Sequence, residues 1–211
     1  MATQAANRRS QRERSEESDN RLLAAAAAII ATEGYAAATM ERVGERAGFS
    51  RGLASRKYGS KDGLIEAVIH RVSRHVHHQI DLAVAGEDSP LCQLLATVDR
   101  FADLVVTDTS VRAYFVLFSA MIANALQTRE AFQQVQEEYA LRLYGMIAAG
   151  QARGEIASAL DPAITAYVVG CLQAGLAVEA AMGGEIDTGA VRAHLRAMLG
   201  PALKGSPQAG G

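Results

Sequence analysis

The stretch Ala47–Leu64, AGFSRGLASRKYGSKDGL, decides the fold. It holds four glycines and no long apolar run, and Arg51, Arg56, Lys57 and Lys61 stand among serines. Gly48 supplies a turn, Ser50 is placed to cap a short helix from Arg51 to Tyr58, and Ser60 is placed to cap a longer helix that starts at Lys61. Immediately upstream, Thr39 is an N-cap for another short helix, Met40–Ala47, with Met40, Val43 and Ala47 on one side. Two short helices joined by a glycine-containing turn form a helix-turn-helix, here over residues 40–58, and its second helix enters the DNA major groove by its amino-terminal end. Small residues there, Gly52 and Ala54, allow close backbone approach. Arg51 and Arg56 can pair with guanine edges or phosphates, and Ser50 and Ser55 can donate to phosphate oxygens. Lys61 stands at a helix start, where free N–H groups and the dipole also favour a phosphate.

Outward from this unit the chain reads as helix only. Ser18 or Asp19 caps a first helix whose Leu22, Ala26, Ile29 and Ile30 share a face, and Gly34 ends it, with Tyr35 folding back onto it. The fourth helix, from Lys61 to about residue 80, carries the stripe Leu64, Ile65, Val68, Ile69, Val72 and Val76. Ser89-Pro90 and Asp161-Pro162 each place a cap before a proline at the first helical position. The helices they open bracket two more, at 109–126 and 129–151. A last helix, capped by Asp187 or Thr188, runs through Leu199. The expected architecture is all-α with about nine helices: a disordered basic arm at 1–17, a three-helix DNA-binding domain at 18–64, a longer helical domain at 65–200, and a disordered tail at 201–211.

Composition agrees with that class. Ala is abundant, aromatic residues make up 5% and Trp is absent, while the 49% hydrophobic content supports a core. The net charge of −2 hides an asymmetry: residues 1–63 hold 11 Lys and Arg against 8 Asp and Glu, and residues 64–211 hold 10 against 15. A basic end on an acidic body suits contact with phosphates at one end only. Cys92 and Cys171 are expected as buried free thiols. Arg21–Ala38, RLLAAAAAIIATEGYAAA, resembles a signal peptide but follows Glu16, Glu17 and Asp19 and is interrupted by Thr32-Glu33-Gly34, so it reads as a helix. No run approaches the roughly 18–20 apolar residues of a membrane span, which suggests a cytoplasmic protein. His75 and His78 lie at i, i+3 with His70 and His77 nearby, yet RHVHHQ has no carboxylate or Cys at ligand spacing. A solvated helix face is expected and no metal. With no catalytic, P-loop or dinucleotide signature, neither an enzyme nor a cofactor is indicated.

Three segments within Arg21–Arg71 carry a resemblance: AAAAIIATEGY at Ala25–Tyr35, TMERVGERAGFSRG at Thr39–Gly52 and YGSKDGL at Tyr58–Leu64. This span resembles the DNA-binding domain of the TetR family of bacterial transcriptional regulators. Ala152–Met182, ARGEIASALDPAITAYVVGCLQAGLAVEAAM, is similar to the family's pattern leading into its dimerising helices. The resemblance implies a homodimer that binds a palindromic double-stranded DNA operator as a repressor and is released by a small effector. By position, Thr39 would contact a phosphate, Ser50–Lys57 would face the groove, and Lys61 would hold a phosphate, with Arg51, Gly52, Ser55, Arg56, Lys57 and Tyr58 completing the DNA-contacting set. Two departures stand out. Ser55 and Lys57 occupy places where many members have Tyr and His, so Lys57 is expected to replace a tyrosine's phosphate contact by charge, and Tyr58 replaces Phe.

The same resemblance implies a pocket within 89–182, with Phe101, Tyr114, Phe118, Met121, Tyr139, Tyr167 and Cys171 as its candidate lining. The absence of charge in Tyr114–Ala125 points to a mostly apolar effector. Ala166, Gly170, Ala174 and Gly175, with Val191, Leu195 and Met198, are the expected dimer contacts across a four-helix interface. The alternative is a helical small-molecule-binding protein or enzyme whose helix-turn-helix is only scaffold.

Overall fold

A computed structural model describes the backbone of residues 2–124, 127–183 and 186–204, and side chains from Glu13 onward except Asn124. Among the described residues there are nine α-helices, one 3-10 turn and no strand. They are α1 (Ala2–Glu33), the turn Tyr35–Ala37, α2 (Met40–Arg46), α3 (Arg51–Tyr58), α4 (Lys61–Val84), α5 (Pro90–Thr107), α6 (Thr109–Asn124), α7 (Arg129–Ala152), α8 (Pro162–Ala181) and α9 (Thr188–Lys204).

Local chemistry explains most of the starts. Thr39 Oγ1 accepts from the Arg42 N–H, Ser60 Oγ from Gly63, Ser89 Oγ from Cys92, Asp161 Oδ1 from Ala163 and Ile164, and Asp187 Oδ1 from Ala190. Ser50 and Thr128 are exceptions: α3 and α7 begin after them without a side-chain bond to the helix.

Both expected ends are corrected. Residues 2–17 of the expected arm are helical as part of α1, so neither Ser18 nor Asp19 is a cap; the Ser18 hydroxyl donates to the Ser15 carbonyl one turn earlier. Arg8, Arg9 and Arg12 have side chains outside the described residues, while Arg14 is exposed. At the other end α9 continues through Gly200-Pro201 to Lys204. Leu203 is buried there beside Leu91 and Ile156, and its carbonyl accepts from the Ala157 N–H, so packing overrides the helix-breaking signal. Residues 205–211 of the expected tail lie outside the described residues.

α4 joins the two parts. Its stripe from Leu64 to Ile80 is buried throughout, and the first half shares one apolar cluster with Ile29 and Ile30 of α1, Val43 of α2 and Ala54 of α3. The second half belongs to the same cluster as Phe101, Phe115 and Phe132 of the body. α9 is fastened to α5 by Arg196–Asp99 and Arg192–Asp103 ion pairs. Glu155, before α8, accepts from Ser89 Oγ at 2.6 Å and from the Leu91 N–H at 3.1 Å, holding its carboxyl below the usual range. α8 is long and apolar enough to cross a membrane by length and composition, with a mean hydropathy of 1.5, contrary to the expectation that no such run exists. It packs against α5, α6 and α7.

Candidate nucleic-acid interface and ligand cavity

The angle between α2 and α3 rests on a glycine that the sequence does not single out. A Cβ on Gly44 would come within 3.0 Å of the Ser50 carbonyl group and 3.1 Å of the Arg51 nitrogen, so the entrance of α3 sits directly on the α2 backbone. Gly48 has φ +74°, and the Phe49 N–H donates to the Gly44 carbonyl at 2.8 Å. The Arg21 guanidinium stacks 4.6 Å over the Phe49 ring and steadies the turn from α1. Ala54 is fully buried, so it seats α3 on the core and faces no partner. At the other end of α3, a Cβ on Gly63 would lie 2.3 Å from the Tyr58 carbonyl oxygen. Both ends of the short helix are thus fixed by backbone contact.

This frame divides the expected DNA-contacting residues. Ser50, Arg51, Gly52 and Arg56 are exposed, Ser55 is half-exposed, and the Arg51 and Arg56 guanidinium groups have no hydrogen bond or ion pair among the described residues. Arg46, at the end of α2, is likewise exposed and was not singled out from sequence. Thr39 is exposed, and its hydroxyl keeps a proton for an outside acceptor while capping α2.

The other three face inward. Lys57 Nζ pairs with Asp19 at 2.8 Å and donates to Ser15 O and Oγ at 3.0 and 3.1 Å. The Tyr58 hydroxyl donates to the same Asp19 carboxylate at 3.1 Å; burial and the Asp19 charge hold the phenol well above its ordinary value. Lys57 and Tyr58 therefore bind α3 to α1, and the expected charge substitution by Lys57 is corrected. Lys61 Nζ donates to the Tyr35 and Ala36 carbonyls at 2.8 and 3.2 Å and sits 3.9 Å over the Tyr35 ring. Burial lowers its proton affinity, against the opposing effect of Asp62. Its ammonium clamps the 3-10 turn instead of standing free for a phosphate.

Between α4, α5, α6, α7 and α8 lies a cavity of about 370 Å³. Phe101, Tyr114, Phe118, Tyr139, Tyr167 and Cys171 line it; Met121 does not and is buried in the core. Its polar pole was not foreseen. Gln173, only 3% exposed, meets the Tyr139 hydroxyl with both ends of its amide, Nε2 at 2.9 Å and Oε1 at 3.1 Å. His77 stacks on Tyr139 with ring centroids 6.0 Å apart. Burial, and then the Arg142 charge, lower the His77 proton affinity. His75 instead pairs with Asp108 at 2.8 Å, and His78 is exposed, so the histidines are not one solvated face. Among the described residues no group of three His, Cys, Asp or Glu is placed to hold a metal ion.

The carboxyl-terminal helices expose a different face from the expected one. Ala166 is buried inside the subunit, Gly170 and Ala174 line the cavity, and Val191 and Leu195 are half-buried, Leu195 packing onto the Leu91–Leu203 cluster. Gly175 and Met198 are exposed. The outward face of α8 is made of Ile164, Tyr167, Val168 and Leu172. Cys92 and Cys171, expected buried, are free and exposed.

A short helix with two fixed ends and an exposed cationic amino-terminal half, packed after α2 and a glycine turn, is a helix-turn-helix carried on an all-helical body with an internal cavity. Residues 22–68 match the family described as bacterial regulatory proteins, tetR family. It is 33% identical over 90 residues to the HTH-type transcriptional regulator BetI of Stenotrophomonas maltophilia, covering 41% of this chain and 45% of that one. The match thus spans under half the length of that relative. To BetI of Burkholderia thailandensis it is 28% identical over 165 residues, 74% of this chain and 77% of that one. The fold is shared with a TetR-family structure from Rhodococcus sp., with TM-score 0.78, 24% identity, and coverage of 90% and 100%. It is also shared with FadR of Bacillus subtilis, solved with stearoyl-CoA, with TM-score 0.73, 16% identity, and coverage of 85% and 96%.

Proposed function

We propose that this chain is a DNA-binding transcriptional regulator, a repressor that holds a palindromic operator as a cytoplasmic homodimer and lets go when an effector fills the cavity. The observation that carries this reading is the division of charge on α3: Arg51 and Arg56 are exposed and unengaged among the described residues, while the neighbouring Lys57 is used to anchor the helix. Ser50, Arg51, Gly52, Ser55 and Arg56 form the reading surface, with Thr39 and Arg46 beside it. Guanidinium groups suit guanine edges and phosphates alike.

Release follows from α4. Val72, Val76 and His77 line the cavity, and Leu64 and Ile65 of the same helix are buried with α1, α2 and α3. An effector that displaces the cavity end of α4 therefore moves α3. Two α3 helices must stand about 34 Å apart, or a multiple, to enter successive major grooves, so a small swing lowers affinity. The apolar face of Ile164, Tyr167, Val168 and Leu172 on α8 with Met198 on α9, large side chains that one subunit leaves uncovered, supports docking of the second copy there.

The experiment is selection of bound fragments from genomic DNA, followed by titration of the selected duplex at rising salt. Preference for a selected duplex over random competitor, with affinity falling steeply in salt, is expected. Equal binding of all duplexes at low ionic strength would end this reading.

A further inference from the structure

Resting on the reading of the cavity as the effector site, we infer that the effector is an uncharged, mostly apolar molecule whose single essential polar group is a hydrogen-bond acceptor, such as an ester, lactone or ketone carbonyl, received by Gln173. The argument starts from hydrogen-bond capacity. A glutamine amide carries two N–H donors. Gln173 is 3% exposed, and the Tyr139 hydroxyl is its side chain's one partner among the described residues, meeting both Nε2 and Oε1. One phenol oxygen can accept at most one of the two N–H groups, so a buried donor on the cavity wall is left unmet. Leaving such a donor unmet is costly, and a ligand acceptor removes that cost.

Charge decides the rest. The polar side chains along the wall are Ser73, His77, Tyr114, Gln136, Tyr139, Tyr167, Cys171 and Gln173, with no Lys, Arg, Asp or Glu among them. Burial raises the Tyr139 phenol and lowers His77, so both stay neutral at pH 7. The cation behind them, Arg142, is bonded to Asp81 and is not part of the wall. A carboxylate or a polyphosphate would enter without a counter-charge on the wall, which is strongly unfavourable. At about 370 Å³ the cavity is at the small end of ligand sites, which run from roughly 300 to 1,000 Å³. The apolar wall of Val72, Val76, Phe101, Phe115 and Phe118 receives the rest of the molecule.

The test uses the full chain without DNA and four matched probes: methyl octanoate, octanoate, octanoyl-CoA and nonane, each titrated calorimetrically. Methyl octanoate is expected to bind at least about tenfold more tightly than any of the other three, tenfold being about 1.4 kcal/mol. Gln173→Leu should bring the ester down to the affinity of nonane. The double variant Tyr139→Phe, Gln173→Leu removes both halves of the polar pole and the unmet donor with them, so its unliganded thermal midpoint should be no lower than that of the parent while its preference for the ester over nonane is lost. Octanoate or octanoyl-CoA binding as tightly as the ester overturns the inference. So does an ester preference that survives Gln173→Leu, a double variant that no longer folds, or no binding by any probe. Failure of the regulator reading would show separately, as absence of duplex preference in the DNA experiment.

Discussion

The corner built from α2, α3 and the start of α4 differs from the body around the cavity in how space is used. In the corner, backbone meets backbone: glycines at 44 and 63 stand where a methyl group would come to 3.0 Å and 2.3 Å from main-chain atoms, and Val43, Ala54 and Leu64 are fully buried. In the body, a cavity opens between five helices, a buried amide has one partner among the described residues, and a Cβ on Gly170 would meet nothing within 4 Å. A reading head must present its cations at fixed spacing, so slack there costs specificity. A cavity that responds to an effector must be able to give, so close packing there would cost the response.

Gly63→Ala should break the corner. The Tyr58 carbonyl cannot rotate away without losing the α3–α4 turn, so we expect a loss of about 2–3 kcal/mol, in the range of overpacked sites. For a domain of this size that corresponds to a fall in thermal midpoint of about 4–12 °C. An unchanged melt would mean that the corner is no tighter than the body. Next in size are the cations. Arg51→Ala and Arg56→Ala should each weaken binding to the selected duplex by about 1–3 kcal/mol where a base is read, or lower the salt slope by about one where a phosphate is held. Lys57→Ala should act otherwise, lowering thermal stability through the lost Asp19 contact. A pure affinity effect at Lys57, with an unchanged melt, would return it to the groove.

The corner was also the more legible region. Thr39 and Ser60 act within three residues of themselves, and such caps can be read directly from sequence, as can Ser89 and Asp161 at two helix starts of the body. The bounds of α3 were legible for the same reason. The partners of Lys57 and Lys61 were not: they lie 38 and 26 positions away in sequence, and only the folded α1 and its following turn bring them close. Gly44 sits inside a helix pattern, where nothing local marks it as a contact point. On α8 the difficulty is different. Ala166 and Tyr167 are adjacent and both suit an apolar helix, and the segment is apolar nearly all round, so its sequence has no polar stripe to show which side turns outward. Ala166 is buried and Tyr167 is 69% exposed. The aromatic lining was legible as a set because α6 and α7 concentrate aromatic residues, although Met121, spaced like them, belongs to the core.

The body's polar pole should respond to acid where the corner does not. His77 has its proton affinity lowered in the folded chain, by burial first and Arg142 second, from an ordinary value of 6.5, with Glu138 and Asp81 opposing. The unfolded chain therefore binds the proton more readily. The stability contributed by neutral His77 is complete above pH 6.5 and lost as pH falls below it. Asp108 is separable: burial pushes its carboxyl up, but bonds from Ser110, His75 and Val111 outweigh this, and its contribution is lost only below about 3.8. Thermal midpoints recorded from pH 7.5 to 5 should fall, and His77→Gln should flatten the fall. An equal fall in the variant would assign the acid response elsewhere.

The smallest effect is the one that sharpens the contrast most. Gly170→Ala repeats the substitution made at Gly63, again inside a helix, but at a position on the cavity wall with open space around the added methyl. A helix-interior glycine costs about 0.5–1 kcal/mol relative to alanine, so the unliganded chain should gain up to that amount, a rise of about 1–4 °C. The same methyl narrows the cavity, so an apolar probe that fits the parent should bind more weakly. Opposite signs for the two measurements, stability up and binding down, follow only if the space beside Gly170 is kept open for a guest. A methyl group that destabilised the empty chain would show instead that α8 is packed there as tightly as α3 is at Gly44.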